Sequence, residues 1–440
     1  MQLKIEKLVY GGDGLARLPA DPNGPGKTVF LPFVIPGEQV EASLSDARPG
    51  FVRARLAHVI APSADRVEPA CPYFARCGGC QYQHIGYEAQ VRYKSEILRE
   101  TLRRTAKIEL QHEVQVHAAE PWHYRNRTRM RVHHTPQFAL GYHRYASHEL
   151  LPVEQCPISS PLINQAINAV WQIGRDGRIP QTLHGLQFLA DHNDRQLLVE
   201  AYVRAGEGAR QCQPFASALS GLIPAMVGMV VFAIAPGDDE ARQFAPLSSV
   251  HTEDCQAIGA GSLTYRAAGH DYRVSGGSFF QTNRYMIDTL VHTAIANVKG
   301  RAALDLYAGV GLFTLPLATR FDQVLAVEAS PHSLADLRHN APANVKPIRA
   351  TTEKFLAERA TKLAPDLVLV DPPRAGLGEK TARALGRMSV PRVTYVSCDP
   401  ATLARDLRVL LESGFQVEQT HLVDLFPQTA HIETVLHLVR

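Results

Sequence analysis

The 440-residue sequence lacks long apolar runs, repeats, low-complexity tracts and an excess of either charge. Its 46 Lys and Arg residues nearly balance 43 Asp and Glu, and a net charge of +3 neither favours nor excludes a nucleic-acid partner. The first residues have no apolar core or cleavage site of a signal peptide. The longest uncharged stretch, 211–237, contains three prolines and predicts a helix followed by a buried strand rather than a membrane span. These absences predict a cytoplasmic protein with no membrane partner, and the length predicts two or three domains.

Cysteine is also scarce, with seven in the chain. In a reducing cytoplasm we expect no disulfide framework, so closely spaced cysteines point to metal binding or catalysis. Three of the seven, Cys71, Cys77 and Cys80, fall within ten residues in "CPYFARCGGC". Cysteine ligands suit a tetrahedral zinc ion or an iron–sulfur cluster, and the spacing leaves both open. We interpret Cys212 and Cys255 as structural thiols.

Turn residues and periodicity divide the chain into three regions. Residues 1–62 alternate short apolar runs with turns at 11–14 and at Pro36-Gly37, which is typical of a small β-barrel. Residues 63–265 mix strands and helices, including an amphipathic helix at 86–109 that we expect to pack on a neighbouring domain. From 266 to 440, apolar strands alternate with helices, which predicts a doubly wound parallel sheet.

One strand of the middle region, "WHYRNRTRMRVHH", places alternate arginines on a single face. Such a face is often only a solvated strand surface. Because tyrosine and asparagine are interleaved with the arginines, we interpret it as a surface for phosphate or base contact. Arg125 and Arg127 are the candidate RNA-binding residues.

The segment "AALDLYAGVGLFTLPLA" has the order of a ligand-binding turn: an apolar strand, glycines at Gly309 and Gly311, then a helix. It lacks the third glycine of a dinucleotide fingerprint and the lysine of a P-loop. The next strand ends in Glu328, an acidic residue placed to accept the ribose hydroxyls of a nucleoside. This order favours S-adenosylmethionine over NAD.

Two further strands carry polar residues to the same sheet edge. "DLVLVDPPRAGL" delivers Asp371, with Arg374 in the place where an aromatic residue stacks on the base in amino-methyltransferases. That arginine argues against methylation of an adenine nitrogen. "RVTYVSCDPATLARDL" delivers Cys398 just before a helix, whose N-terminus we expect to lower the pKa of the thiol. Beside a methyl-donor site, Cys398 is the candidate nucleophile.

Seven stretches, in order along the chain, resemble the RNA uracil-5-methyltransferases: "CPYFARCGGC", "YRNR", "GGSFFQTN", "LDLYAGVGLFTLPLA", "VDPPRAGL", "YVSCDP" and "HIETVLHL". The amino-terminal barrel is similar to a TRAM domain, and with the cysteines the chain most resembles the branch acting on 23S ribosomal RNA. The resemblance implies an α/β Rossmann-like methyltransferase domain, an OB-like TRAM barrel and a central α+β iron–sulfur domain. It also implies methyl transfer from S-adenosylmethionine to carbon 5 of a uridine, extruded from folded RNA.

The resemblance also implies a role for individual residues. Cys398 is the nucleophile that adds to uracil carbon 6, and Glu433 in "HIETV" accepts the carbon-5 proton. The cofactor contacts are Gln281, Tyr307, Glu328 and Asp371. The ligands of a 4Fe–4S cluster are Cys71, Cys77, Cys80 and Cys156. Transfer RNA stays open as the substrate, as does a metal-dependent RNA-binding protein without catalysis, and we expect a monomer.

Overall fold

A computed structural model describes residues 1–19, 26–204, 208–234 and 255–440. Within these ranges, none of the helices has the length and apolarity that crossing a bilayer requires. The uncharged stretch forms a helix, α3, and then a strand, β13, as predicted, with its last three residues outside the described ranges. The nine helices described are α1 Tyr87–Thr101, α2 Pro161–Arg175, α3 Ala209–Leu222, α4 Ile287–Ala294, α5 Thr314–Ala318, α6 Pro331–Asn340, α7 Thr352–Arg359, α8 Glu379–Gly386 and α9 Pro400–Glu412.

The amino-terminal strands form a six-stranded sheet in the order β1-β5-β6-β4-β3-β2. The two strands at the ends of this order are separated in sequence only by Ile5 and Glu6, so the sheet closes on itself as a barrel. Alternate residues such as Val29, Leu31 and Val40 fill its interior. The strands are β1 Gln2–Lys4, β2 Lys7–Leu8, β3 Asp13–Arg17, β4 Thr28–Pro32, β5 Gln39–Arg48 and β6 Phe51–Ala61.

The predicted amphipathic helix is α1, continued by a π-helical turn at Leu102–Ala106 that ends in a left-handed Lys107. Its apolar residues, among them Ile97 and Leu98, lie in one core with the side chains of α9 and the carboxyl-terminal sheet. The helix therefore belongs spatially to the carboxyl-terminal half, although it precedes the central sheet in sequence.

The central sheet has seven strands in the order β10-β9-β8-β11-β12-β13-β14. Helices α2 and α3 cover one face, where Ile167, Val170 and Phe215 pack against the strands. The pairing is antiparallel except between β12 and β13, which α3 connects. The strands are β8 Arg127–His133, β9 Ala139–His143, β10 Leu150–Pro152, β11 Leu183–Ala190, β12 Leu197–Arg204, β13 Met226–Ile234 and β14 Gln256–Gly259. A hairpin, β15 Ser262–Ala267 and β16 His270–Ser275, follows.

The carboxyl-terminal sheet has eight strands in the order β19-β18-β17-β20-β21-β23-β22-β7. Five neighbours run parallel, as predicted, and β23 runs antiparallel between β21 and β22. The edge strand β7 comes from the chain before the central sheet. The strands are β7 Gln115–His117, β17 Gly300–Leu306, β18 Phe321–Glu328, β19 Val345–Arg349, β20 Leu367–Val370, β21 Arg392–Ser397, β22 Gln416–Val423 and β23 Glu433–Val439.

Candidate active site

The candidate nucleophile and the candidate proton acceptor meet across two neighbouring strands. Cys398 follows β21 directly, and Glu433 is the first residue of β23. The antiparallel register pairs Ser397 with Thr434, so one more step along the same ladder brings Cys398 opposite Glu433. Glu433 is buried, and Cys398 is half-buried. The structure thus brings together two residues that lie 35 positions apart in sequence (433 − 398).

The pKa of Cys398 does not move in the predicted direction. Burial, followed by the charges of Glu433 and Asp371, raises the pKa of the thiol to about 12, while Arg374 acts in the opposite sense. The N-terminus of α9, expected to lower that pKa, also carries a side-chain cap. Asp399 Oδ1 accepts hydrogen bonds from the amides of Ala401 at 3.0 Å and Thr402 at 2.9 Å. The helix end is therefore satisfied by a carboxylate next to the thiol.

Three carboxyl groups converge at the carboxyl ends of β17, β18 and β20. Asp305 is fully buried, donates nothing, and accepts from Thr314 Oγ1, while its Oδ1 has no hydrogen-bond partner. Burial raises the pKa of Asp305 to about 7, and the charges of Asp371 and Glu328 add to that shift. Burial likewise raises the pKa of Asp371 to about 7. Such an acidic pocket favours a cationic ligand.

The glycine turn after β17 leaves the space that a ligand needs. Gly309 has a φ of +57°, and a β-carbon there would meet no heavy atom within 4 Å. Its amide donates to Glu328 Oε2 at 2.8 Å, and the other carboxylate oxygen accepts from the amide of Ser330. Tyr307 has a left-handed φ of +63°, and its hydroxyl donates to Glu353 at 3.3 Å. Two of the predicted cofactor residues, Tyr307 and Glu328, therefore flank this opening.

Gln281 enters the site on a loop, 275–281, between the hairpin and α4. Its Nε2 lies 3.5 Å from Asp371 Oδ2. Two buried carboxylates anchor the loop: Glu200 accepts from the amide of Gly277 at 3.1 Å, and Asp336 accepts from Ser278 Oγ at 2.6 Å. Phe279, on the same loop, is 60% exposed. The loop is thus rigid at its base and carries an exposed ring beside the site.

The predicted arginine face is largely buried. Arg127 is 6% exposed, donates to the carbonyl of Ser278 at 2.6 Å and pairs with buried Glu200 at 3.2 Å. Its guanidinium therefore holds the base of loop 275–281 through Ser278. This buried position does not support the prediction that Arg127 contacts RNA. Arg125 precedes β8 and lies at the wall of a cavity.

That cavity, of about 260 Å³, is lined by all four of the predicted ligands, Cys71, Cys77, Cys80 and Cys156. Burial and the neighbouring thiols raise the pKa of Cys77 to about 11 and that of Cys80 to about 12. The Nε of Arg125 is buried without a hydrogen-bond partner. Across the described ranges, no three His, Cys, Asp or Glu side chains converge on one point as the ligands of a single metal ion do.

Three residues at the site escaped prediction from sequence. Asp305 carries the signal that could have revealed it, since it is an acidic residue within the apolar run 302–306 of β17. His431 lies 3.2 Å from Arg374 through its Nε2, and burial and that arginine lower its pKa to about 3, so it accepts the hydrogen bond as a neutral ring. Tyr10, from the barrel, donates to Asp399 Oδ2 at 3.0 Å, and nothing in its local sequence indicates this.

Comparison with known proteins gives matches at both ends of the chain. A family model described as tRNA (Uracil-5-)-methyltransferase matches residues 260–440, and a TRAM domain model matches residues 1–57. The 23S rRNA (uracil(1939)-C(5))-methyltransferase RlmD of Halomonas elongata is 33% identical over 99% of this chain and 89% of its own length. An uncharacterized RNA methyltransferase of Aquifex aeolicus is 30% identical over 99% of this chain and 97% of its own.

A solved structure shares the whole fold. The tRNA (uracil-54, C5)-methyltransferase of Pyrococcus abyssi, solved in complex with S-adenosyl-L-homocysteine, superposes with a TM-score of 0.75. The match covers 100% of both chains at 23% sequence identity. The arrangement of barrel, central sheet and carboxyl-terminal sheet is therefore a known one.

Proposed function

The chain belongs to the RNA uracil-5-methyltransferase family, and from that premise we propose that it transfers a methyl group from S-adenosylmethionine to carbon 5 of a uridine in RNA. The observation that carries the proposal is the meeting of Cys398 and Glu433 at the carboxyl edge of the sheet, beside the acidic pocket. A sulfur nucleophile and a buried carboxylate on opposite strands suit addition to a ring and removal of its proton.

The chemistry divides one difficult step into easier ones. The Cys398 thiolate adds to carbon 6 of the uracil, and the electron pair of the carbon 5–carbon 6 double bond moves into the ring as an enolate. Carbon 5 then attacks the methyl carbon of S-adenosylmethionine; the sulfur–methyl bond breaks, its electron pair stays on sulfur, and S-adenosylhomocysteine leaves. Glu433 removes the remaining carbon-5 proton, the double bond forms again, and the Cys398–carbon 6 bond breaks to release thiolate. Burial raises the pKa of Glu433 well above its ordinary value, which makes it a better proton acceptor than an exposed carboxylate.

The acidic pocket fits the donor. S-adenosylmethionine carries a positively charged sulfonium, and the mutually crowded carboxyl groups of Asp305 and Asp371 are relieved by a cation. Gln281, Tyr307, Glu328 and Asp371 would hold it, with Glu328 at the ribose and the open face of Gly309 at the turn. When bound, S-adenosylmethionine would supply the methyl group as the equivalent of a methyl cation. The residues that hold it would orient that methyl group toward carbon 5.

The raised pKa of Cys398 has a mechanistic meaning. In the free protein, burial raises the pKa of the thiol most, and the negative charges of Glu433, Asp371 and Asp399 raise it further, so the thiol is protonated at neutral pH. A cation bound beside Asp371 offsets that field, and Arg374 already lowers the pKa of the thiol. We therefore propose that the nucleophile forms only when the donor site is filled, which protects Cys398 from other electrophiles.

The target base must reach a half-buried thiol, so it leaves the RNA stack. Phe279 offers an exposed ring beside Gln281 on which an extruded base can stack, and Arg284 with Tyr285 forms a cation–π pair nearby at 5.0 Å. The RNA target that we propose is 23S ribosomal RNA, because the Halomonas elongata relative is named for it. Function as a monomer in the cytoplasm stays a prediction.

For the cysteine cavity we propose a 4Fe–4S cluster. Each iron of such a cluster takes one thiolate, and four thiols surround a cavity here. The amide of Gly79 donates to Cys77 Sγ at 3.4 Å, as backbone amides do to cluster sulfurs. The cluster and its four thiolates together are negatively charged, and the Arg125 guanidinium at the wall is complementary. Because methyl transfer requires no electron transfer, the role that we propose for the cluster is structural.

The test is transfer of labelled methyl from S-adenosylmethionine to unmodified 23S ribosomal RNA and to transfer RNA, offered separately. We expect label in 5-methyluridine of the ribosomal RNA. Label in transfer RNA alone would retain the chemistry and overturn the target. Label in neither, with RNA still bound, would overturn the proposal and favour a metal-dependent RNA-binding protein. Cys398→Ala serves as the control: it should abolish transfer and leave RNA binding within about twofold.

A further inference from the structure

The barrel reaches the candidate active site through one turn. Between β2 and β3 the chain reverses at Gly11 and Gly12, whose φ angles are +102° and +99°. A β-carbon on Gly12 would lie 2.9 Å from Gln81 Cβ and 3.2 Å from Ala430 Cβ, so the turn is wedged between the cysteine segment and the loop that leads to Glu433. Tyr10 packs in the same apolar core as α9.

At the tip of this turn, the hydroxyl of Tyr10 donates to Asp399 Oδ2 at 3.0 Å. The other oxygen of Asp399 caps α9, so the two oxygens of this carboxylate have separate partners in separate domains. Asp399 is bonded directly to Cys398 in the chain. We propose that Tyr10 is a positioning residue for Cys398, and that the barrel thereby takes part in the chemical step; this inference rests on the proposed function.

Without Tyr10, Asp399 Oδ2 would lack its hydrogen-bond donor. A carboxylate oxygen in that position accepts a hydrogen bond from another neighbouring group, and the Cys398 thiol can donate one only while it is protonated. Donation by Tyr10 occupies that oxygen and reduces the negative field at the sulfur. The other groups facing Cys398 are Glu433 from β23 and Asp371 and Arg374 from the loop after β20. These groups belong to the carboxyl-terminal sheet and its loops, whereas Tyr10 comes from the barrel.

The test is Tyr10→Phe, which keeps the ring and removes the hydroxyl. A lost hydrogen bond to a charged group predicts a fall in kcat of about tenfold, with KM for RNA unchanged. The rate at which Cys398 reacts with iodoacetamide at one fixed, mildly alkaline pH, read from its peptide by mass spectrometry, should fall because less of the thiol is ionised. The matched control is Tyr93→Phe, which removes a 2.6 Å hydrogen bond to Asp65, a carboxylate that is not among the charges acting on Cys398.

A double-mutant cycle with Asp399→Asn isolates the contact, because Tyr10→Phe should cost much less once the carboxylate charge is gone. Equal kcat and equal alkylation rates for Tyr10→Phe and Tyr93→Phe would overturn the inference, as would a loss confined to KM. The alkylation measurement needs neither RNA nor donor. Failure of the proposed function would abolish methyl transfer in the unmodified protein but leave the alkylation difference between the two variants.

Discussion

Burial, and then the carboxyl groups of Glu433, Asp371 and Asp399, raise the pKa of the Cys398 thiol. Arg374 supplies the opposing positive charge. The local sequence predicted the reverse, because a helix begins two residues later. That prediction was wrong chiefly because the thiol is buried and faces Glu433 and Asp371; Asp399, the residue between, caps the helix and adds its own negative charge. A reactive cysteine in this setting depends on ligands for its activation, so its reactivity reports on the occupancy of the site.

Glu433→Gln tests the proton acceptor. Glutamine keeps the shape but cannot take the carbon-5 proton, so methyl transfer should proceed while release of Cys398 stalls. We expect a protein–RNA adduct that survives denaturing electrophoresis and a turnover rate at least a hundredfold lower. Glu418→Gln, an exposed residue of β22 paired with Arg392, is the control and should behave as the unmodified protein. Normal turnover without adduct in Glu433→Gln would remove it from this role.

The acidic pocket makes donor binding depend on pH. Asp305 and Asp371 have pKa values of about 7, so below that pH they carry protons and do not attract a cation, and above it they are charged. The affinity for S-adenosylmethionine should therefore rise as pH rises through 7 and then level off. Calorimetric titration on both sides of pH 7 measures this. S-adenosylhomocysteine, which lacks the sulfonium charge, should show a shallower dependence; equal slopes for the two would contradict the argument.

At the scale of elements, the base of loop 275–281 depends on a buried ion pair within the central sheet. Arg127 from β8 and Glu200 from β12 lie in the central sheet, yet they bind the carbonyl of Ser278 and the amide of Gly277. The sequence shows a strand with alternating arginines. It does not show that the partner of Arg127 is Glu200, which is 73 positions away (200 − 127). The sequence did not reveal that Arg127 is buried, because pairing with a residue of another strand is not encoded locally; its contact with RNA stays a prediction.

Glu200→Gln should reveal the cost of breaking that pair. The guanidinium of Arg127 would remain buried with its counter-charge gone, which costs about 3–5 kcal/mol. We expect a clear fall in the urea midpoint and a raised KM for the donor, because Gln281 sits on the loop. The exposed pair Arg144–Glu149 provides the control, Glu149→Gln, which should leave both values unchanged. A loss no larger than the control's would show that the pair does not anchor the loop.

Prediction from sequence succeeded where strand order alone determines position. Glu328 ends a strand, Asp371 and Cys398 each follow one directly, and parallel strands bring their carboxyl ends to one edge. It failed where a contact joins distant segments. Tyr10, His431 and strand β7 have unremarkable neighbours in sequence, and their roles come from tertiary pairing alone.

At the scale of the whole molecule, the carboxyl-terminal sheet is not self-contained. Helix α1 fills its apolar core, and β7 pairs with β22 from His421 to Val423. Lys94 of α1 is fully buried and donates to Asp424 at 2.7 Å, immediately after β22. The matched family region, 260–440, thus lacks a helix, an edge strand and a buried counter-charge that its fold requires.

Two fragments should therefore behave differently. Residues 260–440 alone would expose the β22 edge and the apolar surface under α1, so we expect aggregation. Residues 62–440 retain both elements, and we expect a folded protein of low activity because the Tyr10 contact is missing. Size-exclusion chromatography and circular dichroism distinguish the two. A folded, monomeric 260–440 fragment would show that α1 and β7 are dispensable.

Strand β23 has a consequence for the newly made chain. It is the last of the eight strands in sequence, yet it lies inside the sheet, between β21 and β22. While the chain emerges from the ribosome, β21 therefore keeps an open hydrogen-bonding edge, and its neighbour in the finished sheet arrives last. Since that strand begins with Glu433, the sheet and the pairing of Cys398 with Glu433 are completed in the same event. A nascent chain can hold the glycine turn after β17 in place before Cys398 and Glu433 meet.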